Sequence, residues 1–235
     1  MKTTCKALKF LAAASVSALV PALAQADSYI NYTTYEAPFN IGGVEAGNEI
    51  AFNGGQATYS VTNFSVQISG SYLNAGDNIE IKFYGVTGPA SGPYAYTPGP
   101  ELFDSGLISL TGLNTAGSIL DLPNDGATGD LPTSGINIGG STFIFTVQFS
   151  GPDAANGTVA LFGPAPTDGV NYSSAWENNG GTWTLVTAPV GEQPYNFGAE
   201  ADATPEPSSL ALFGLGGLAA LAFVAINNKR RAAAR

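Results

Sequence analysis

The chain has 235 residues and a formal charge of −10, and its charges are unevenly placed. Seven of the eight basic residues lie before Phe10 or after Ile226; from Asp27 to Ala203 seventeen carboxylates face Lys82 alone, a net of −16. So acidic a stretch does not bind nucleic acid by counterion release. Its lack of His, Cys and Met excludes Ser-His-Asp and Cys-His catalysis, ordinary zinc sites and disulfide staples.

At the N-terminus Lys2, Lys6 and Lys9 precede an apolar run from Phe10 to Val20 that is too short to span a bilayer. Pro21 ends the run, and Ala24-Gln25-Ala26 fits the small-x-small rule for signal peptidase. Residues 1–26 therefore read as a signal peptide cut between Ala26 and Asp27. Cys5 lies before the apolar run, which excludes a lipoprotein anchor.

Residues 27–203 are enough for one hydrophobic core. Gly, Thr, Ser, Asn, Val and aromatics dominate them, a β-rich composition. Tyr59 and Val61 alternate in one parity and Phe64, Val66 and Ile68 in the other, which predicts a strand over Thr62–Ser69 with a bulge near Asn63. Asn78–Gly85 places Ile79, Ile81 and Phe83 on one face and Glu80, Lys82 and Tyr84 on the other. Further strands are expected over Glu101–Leu110, Ser141–Ser150, Gly157–Phe162, Thr182–Thr187 and Tyr195–Ala199, with turn-rich loops over Gly88–Pro100, Pro123–Gly135 and Gly163–Asn171. No useful helical periodicity or fixed repeat occurs in this stretch. The fold expected is an all-β, antiparallel β-sandwich, jelly-roll-like, followed by one C-terminal transmembrane helix.

Three chemistries fit the loops of this domain. Tyr94 and Tyr96 lie in one predicted loop and Tyr172 and Trp176 in another, near Trp183; sugars stack on such rings while carboxylates and amides take their hydroxyls. The competing reading is that the rings plug the ends of the sandwich. Asn124, Asp125 and Asp130 share a Gly-rich loop and offer oxygen ligands for calcium, although their spacing is not that of an EF-hand and a solvated turn rich in Asn and Asp is the favoured reading. A carbohydrate-active enzyme needs an Asp/Glu pair across a cleft, and with so many carboxylates the sequence picks out no particular pair. No other cofactor is implied, and the expectation is a non-enzymatic domain.

The last 32 residues carry a second address. Pro205-Glu206-Pro207 is stiff and extended, because proline fixes its own φ and pushes the preceding residue out of the helical region. Ser208 or Ser209 can cap a helix beginning at Leu210. Residues 210–226 form an uncharged span of roughly 26 Å at about 1.5 Å per residue, marginal but sufficient for a membrane crossing. Lys229, Arg230 and Arg231 follow as stop-transfer charges, leaving residues 227–235 cytoplasmic and the domain exported.

The order Thr204-Pro205-Glu206-Pro207-Ser208-Ser209, apolar span and Lys-Arg-Arg resembles the PEP-CTERM sorting signal of Gram-negative bacteria. Such tails also carry a label mentioning ice-binding proteins, but this chain has no flat, repetitive Thr array. The segments Val61-Thr62-Asn63-Phe64, Phe103-Asp104-Ser105-Gly106 and Phe145-Thr146-Val147-Gln148-Phe149 resemble the domain often found before such tails. The resemblance implies recognition by exosortase, a membrane-embedded cysteine protease or transpeptidase, with signal peptidase acting at the other end. It also implies a cell-surface or extracellular-matrix (biofilm) destination and a structural, adhesive or exopolysaccharide-binding role. The alternative is a single-pass membrane protein whose tail is never processed.

Overall fold

The computed structural model describes residues 26–32, 35–54, 58–69, 73, 76–88, 96–111, 117–163, 166–188 and 195–206. The chain divides into one compact unit, Ala24–Pro205, and a second made of Met1–Leu23 and Glu206–Arg235, of which only Glu206 is described.

The first unit is a sandwich of two antiparallel sheets. One sheet runs in the order β1 (Asp27–Ile30), β14 (Ala199–Pro205), β4 (Tyr59–Ile68), β11 (Thr158–Phe162), β2 (Tyr35–Asn40). Strands β8 (Ser118–Pro123) and β9 (Ile136–Asn137) also pair with β4. The other runs β13 (Thr182–Thr187), β12 (Val170–Asn179), β3 (Glu45–Ala51), β10 (Thr142–Ser150), β5 (Asn78–Thr87), β6 (Thr97–Asp104), with β7 (Ile108–Ser109) beside β5.

Period-2 alternation builds the core. Ile79, Ile81 and Phe83 of β5, Phe143, Phe145 and Val147 of β10, and Phe64, Val66 and Ile68 of β4 are fully buried. The Phe64 ring meets Phe83 at 4.9 Å and Phe145 at 5.0 Å, joining the two sheets. Burying each such side chain is worth about 1.5–3 kcal/mol. In β4 the register passes from Asn63 opposite Asp202 to Val61 opposite Ala203, so Thr62 is the extra residue of a bulge. That bulge lets Tyr59 and Val61 face the core along with Phe64.

Several expected boundaries move. The strand expected over Glu101–Leu110 is two strands, because Gly106 at φ 65° breaks it and Asp104 Oδ1 accepts the Gly106 N–H at 2.7 Å. The strand expected over Tyr195–Ala199 begins only at Ala199 and runs to Pro205. Before it, Phe197 forms an isolated bridge to Leu161, and the buried Asn48 amide holds the other edge: its Nδ2 donates to Tyr195 O at 2.6 Å, and its Oδ1 accepts from Phe197 N. The expected loop over Gly88–Pro100 is shortened by β6, and that over Gly163–Asn171 by the first residues of β12.

Among the described residues the helical structure is one 3-10 turn, Ala154–Asn156, and no helix is long and apolar enough to cross a membrane. The apolar span 210–226 lies outside the described residues.

Candidate functional site

All seven residues of β3 are buried, so both faces of this strand are covered. Ala46, Asn48 and Ile50 point between the sheets. Glu45, Gly47 and Glu49 therefore point the other way, into a second cluster built on Tyr84, Ile144 and Trp176, with Val86, Trp183 and Leu185 packed against it. Pairing explains the assembly: Glu49 lies opposite Ile144, Ile144 opposite Tyr84, and Gly47 opposite Trp176. Gly47 is required there, because a Cβ would lie 1.9 Å from Phe145 O.

The two carboxylates differ sharply. Glu45 is saturated: its Oε1 accepts from Tyr84 Oη and Thr146 Oγ1, and its Oε2 from Asn178 Nδ2, each at 2.8 Å. Glu49 Oε2 accepts the Tyr96 N–H at 2.8 Å, while Oε1 is buried without a hydrogen-bond partner. Trp176 Nε1, a buried donor in the same cluster, also has none. Burial pushes the Glu49 carboxyl up to about 7, against the downward pull of the Tyr96 bond. The Tyr84 hydroxyl is raised by burial, then by its bond to Glu45 and by the charges of Glu45, Glu101 and Asp104. Burial, then Glu49 and Tyr96, raise the Tyr172 hydroxyl against its bond to Thr142.

A cleft of about 530 Å³ adjoins this cluster and is lined by Val86, Tyr96, Leu102, Ile138, Ser141 and Thr142 among others. Tyr96 and Thr142 belong to both, through the bonds to Glu49 and Tyr172.

Three of the four aromatic candidates thus gather around one face of the second sheet. Two expectations about them are corrected. Tyr172 and Trp176 belong to β12 instead of a loop, because pairing with β3 extends that strand across both. Trp176 is 5 % exposed, so its ring is packed in the cluster rather than offered as an open platform. Tyr96 immediately precedes β6, and Tyr94 lies outside the described residues. Glu45 and Glu49 were not singled out by the sequence. Their run, Glu45-Ala46-Gly47-Asn48-Glu49-Ile50, holds Gly and Asn and reads locally as a turn, so the sequence gives no signal for the strand or for its two acids.

At the expected calcium loop, Asp125 Oδ1 accepts the Ala127 N–H at 2.8 Å. Burial and the neighbouring Asp125 raise the Asp130 carboxyl, so these two acids do meet. Asn124 is half-buried beside them. Among the described residues no group of three or more His, Cys, Asp or Glu is placed to hold a metal ion. Lys82 is held by Glu80 at 3.1 Å and Asp104 at 3.7 Å.

The first and last strands of the sandwich pair with each other in the first sheet. β1 starts at Asp27, opposite Ala203, and Ala26 before it is exposed. Thr204 and Pro205, the first residues of the tail as read from sequence, complete β14 opposite Ser60 and Tyr59. The Asp27 carboxylate accepts from Tyr59 Oη at 3.0 Å and from Gly54 N. Ala24, Pro207, Lys229, Arg230 and Arg231 lie outside the described residues.

These features define a two-sheet antiparallel β-sandwich with a polar cluster buried on the far side of one sheet. Residues 203–230 match the family described as the PEP-CTERM protein-sorting motif, so the chain carries a sorting motif that implies export to the cell envelope or surface and exosortase-type processing. No curated protein and no solved structure matches the chain.

Proposed function

We propose that this protein is a surface or exopolysaccharide-matrix component of a Gram-negative bacterium whose sandwich binds glycan hydroxyls at the Glu49–Trp176 face. Signal peptidase releases its N-terminus, and the apolar span 210–226 holds it in the inner membrane as a transmembrane helix until the tail is processed.

One observation carries the binding reading: a buried acceptor, Glu49 Oε1, and a buried donor, Trp176 Nε1, both lack partners in one aromatic cluster. Each unsatisfied group costs roughly 1–3 kcal/mol. A hydroxyl both donates and accepts, so a polyol entering from the cleft beside Tyr96 suits either group, while its CH faces suit the half-buried Tyr96, Tyr172 and Trp183. The adjoining cleft gives room for more than one sugar ring.

A hydrolytic role has less support. Glu45 and Glu49 are four residues apart on one strand, about 13 Å between Cα atoms at about 3.3 Å per residue. A glycosidase pair works at about 5–9 Å. Glu45 is in addition fully engaged by Tyr84, Thr146 and Asn178.

The test is retention of the exported protein on the producer's own polysaccharide, with and without calcium. The wild type is expected to be retained, and Glu49→Gln and Trp176→Phe to bind about 5- to 150-fold more weakly, the equivalent of about 1–3 kcal/mol each. Absence of retention under both conditions removes the reading.

A further inference from the structure

We infer that the outer edge of β13 is an interface for a second copy of this chain, the two second sheets joining antiparallel about a two-fold axis at Thr184. The inference rests on neither the sorting assignment nor the proposed glycan site.

The N–H and C=O groups along a sheet edge are a template for another strand, and proteins guard them with proline, charge, bulges or short length. The other edges of this sandwich carry such guards. β1 holds Asp27, and its Ile30 already bonds to Thr167 and Asp168. β2 holds Glu36 and Pro38, and β8 holds Asp121 and Pro123. β6 holds Pro98, Pro100, Glu101 and Asp104 and slips register against β5. β7 and β9 are two residues long. β13 has none of these: Thr182–Thr187 is six residues without charge or proline, and it pairs with β12 without a register shift. Among the described residues β12 is its only strand partner.

The hairpin fixes which groups are offered. Gly180 and Gly181 have φ 62° and 89°, the type I′ pattern, so Asn179 and Thr182 close the loop on each other. Alternation then turns the backbone groups of Thr182, Thr184 and Val186 toward β12 and those of Trp183, Leu185 and Thr187 outward.

Charge and register point to a second copy as the occupant. A basic partner is drawn to the acidic edges, whereas another copy brings the same net charge of −16 and meets this one best where the strand carries no charge. In a pairing centred on Thr184, Trp183 of each copy lies opposite Leu185 of the other. Both side chains pack on the second cluster, which thereby continues across the axis. Centring on Leu185 would instead set Trp183 opposite the exposed Thr187.

The test uses cysteine, since residues 27–235 have none. At the axis the two Thr184 Cα atoms lie about 4.5 Å apart, within the range of about 4.4–6.8 Å that a disulfide spans. The two Thr182 Cα atoms are about 13 Å apart at about 3.3 Å per residue, beyond that range. The full chain carrying Thr184→Cys, expressed in the producing bacterium, should give a reducible dimer on a non-reducing gel, and Thr182→Cys should stay monomeric. Thr184→Lys sets a cation opposite Glu177 within its own hairpin, which keeps the fold, and a like charge at the axis. Sedimentation of the exported protein should show a dimer that grows with concentration and salt in the wild type and is lost in this variant. A wild type that is monomeric throughout, a dimer that Thr184→Lys leaves intact, or cross-linking of Thr184→Cys no greater than that of Thr182→Cys overturns the inference.

Discussion

Glu49 gives the sharpest prediction about the domain. Its carboxyl is raised from the ordinary 4.5 to about 7, with burial as the largest cause. Below 4.5 the group is protonated whether the chain is folded or not. Between 4.5 and about 7 the unfolded chain releases a proton that the folded chain keeps, so stability falls as pH rises through this window and levels off above it. At about 1.4 kcal/mol per unit, and with a discount for residual solvent screening, the loss is about 2 kcal/mol. Glu49→Gln removes the titration while keeping the shape and an oxygen for the Tyr96 N–H. Burial and neighbouring carboxylates also raise Asp130 and Glu200, so part of the slope is common to both proteins. The informative quantity is the difference between them. Urea unfolding of wild type and variant across this range should show the wild type losing about 2 kcal/mol relative to Glu49→Gln as pH rises. A pH-independent difference, or one of opposite sign, would refute the buried, half-paired carboxylate.

Four further substitutions test the packing and the tail. Asn48→Ala leaves Ser174 O, Tyr195 O and Phe197 N without the amide that serves all three, and should cost about 3 kcal/mol in thermal or urea unfolding. Gly47→Ala forces a methyl against Phe145 O and should cost at least about 3 kcal/mol. Gly140→Ala, where a Cβ meets nothing within 4 Å, should stay within about 0.5 kcal/mol of wild type by the same assay. Glu206→Ala removes the charge between the two prolines; the chain should keep its tail and accumulate in the membrane fraction, read by intact mass.

The sequence is legible where the physics is local. β5, β10 and the far half of β4 alternate bulky apolar residues with polar ones, and β13 starts and stops at the residues its pattern predicts. The PEP-CTERM tail is legible for the same reason, since stiffness, apolarity and charge follow one another along the chain. β3 is hidden because both of its faces are buried and its run holds two acids, an amide and a glycine. β14 is hidden because Ala-Glu-Ala-Asp-Ala consists largely of good helix formers, and only pairing with β1 and β4 makes it a strand. In β12 the register slips between Asn171 and Ala175, so its period breaks where Tyr172 lies. The site depends on these three facts together. Glu49 and Trp176 are far apart in sequence and share a cluster only because β12 and β10 both pair with β3.

The chain has two tryptophans, Trp176 and Trp183, and both belong to the cluster that holds Glu49's face of the sheet. Their fluorescence is therefore a direct probe of that face. Titrating the exported protein with the producer's polysaccharide should give a saturable change in tryptophan emission that is weakened in Glu49→Gln. Emission that stays constant while the polysaccharide binds would place the contact elsewhere on the sandwich and contradict the account.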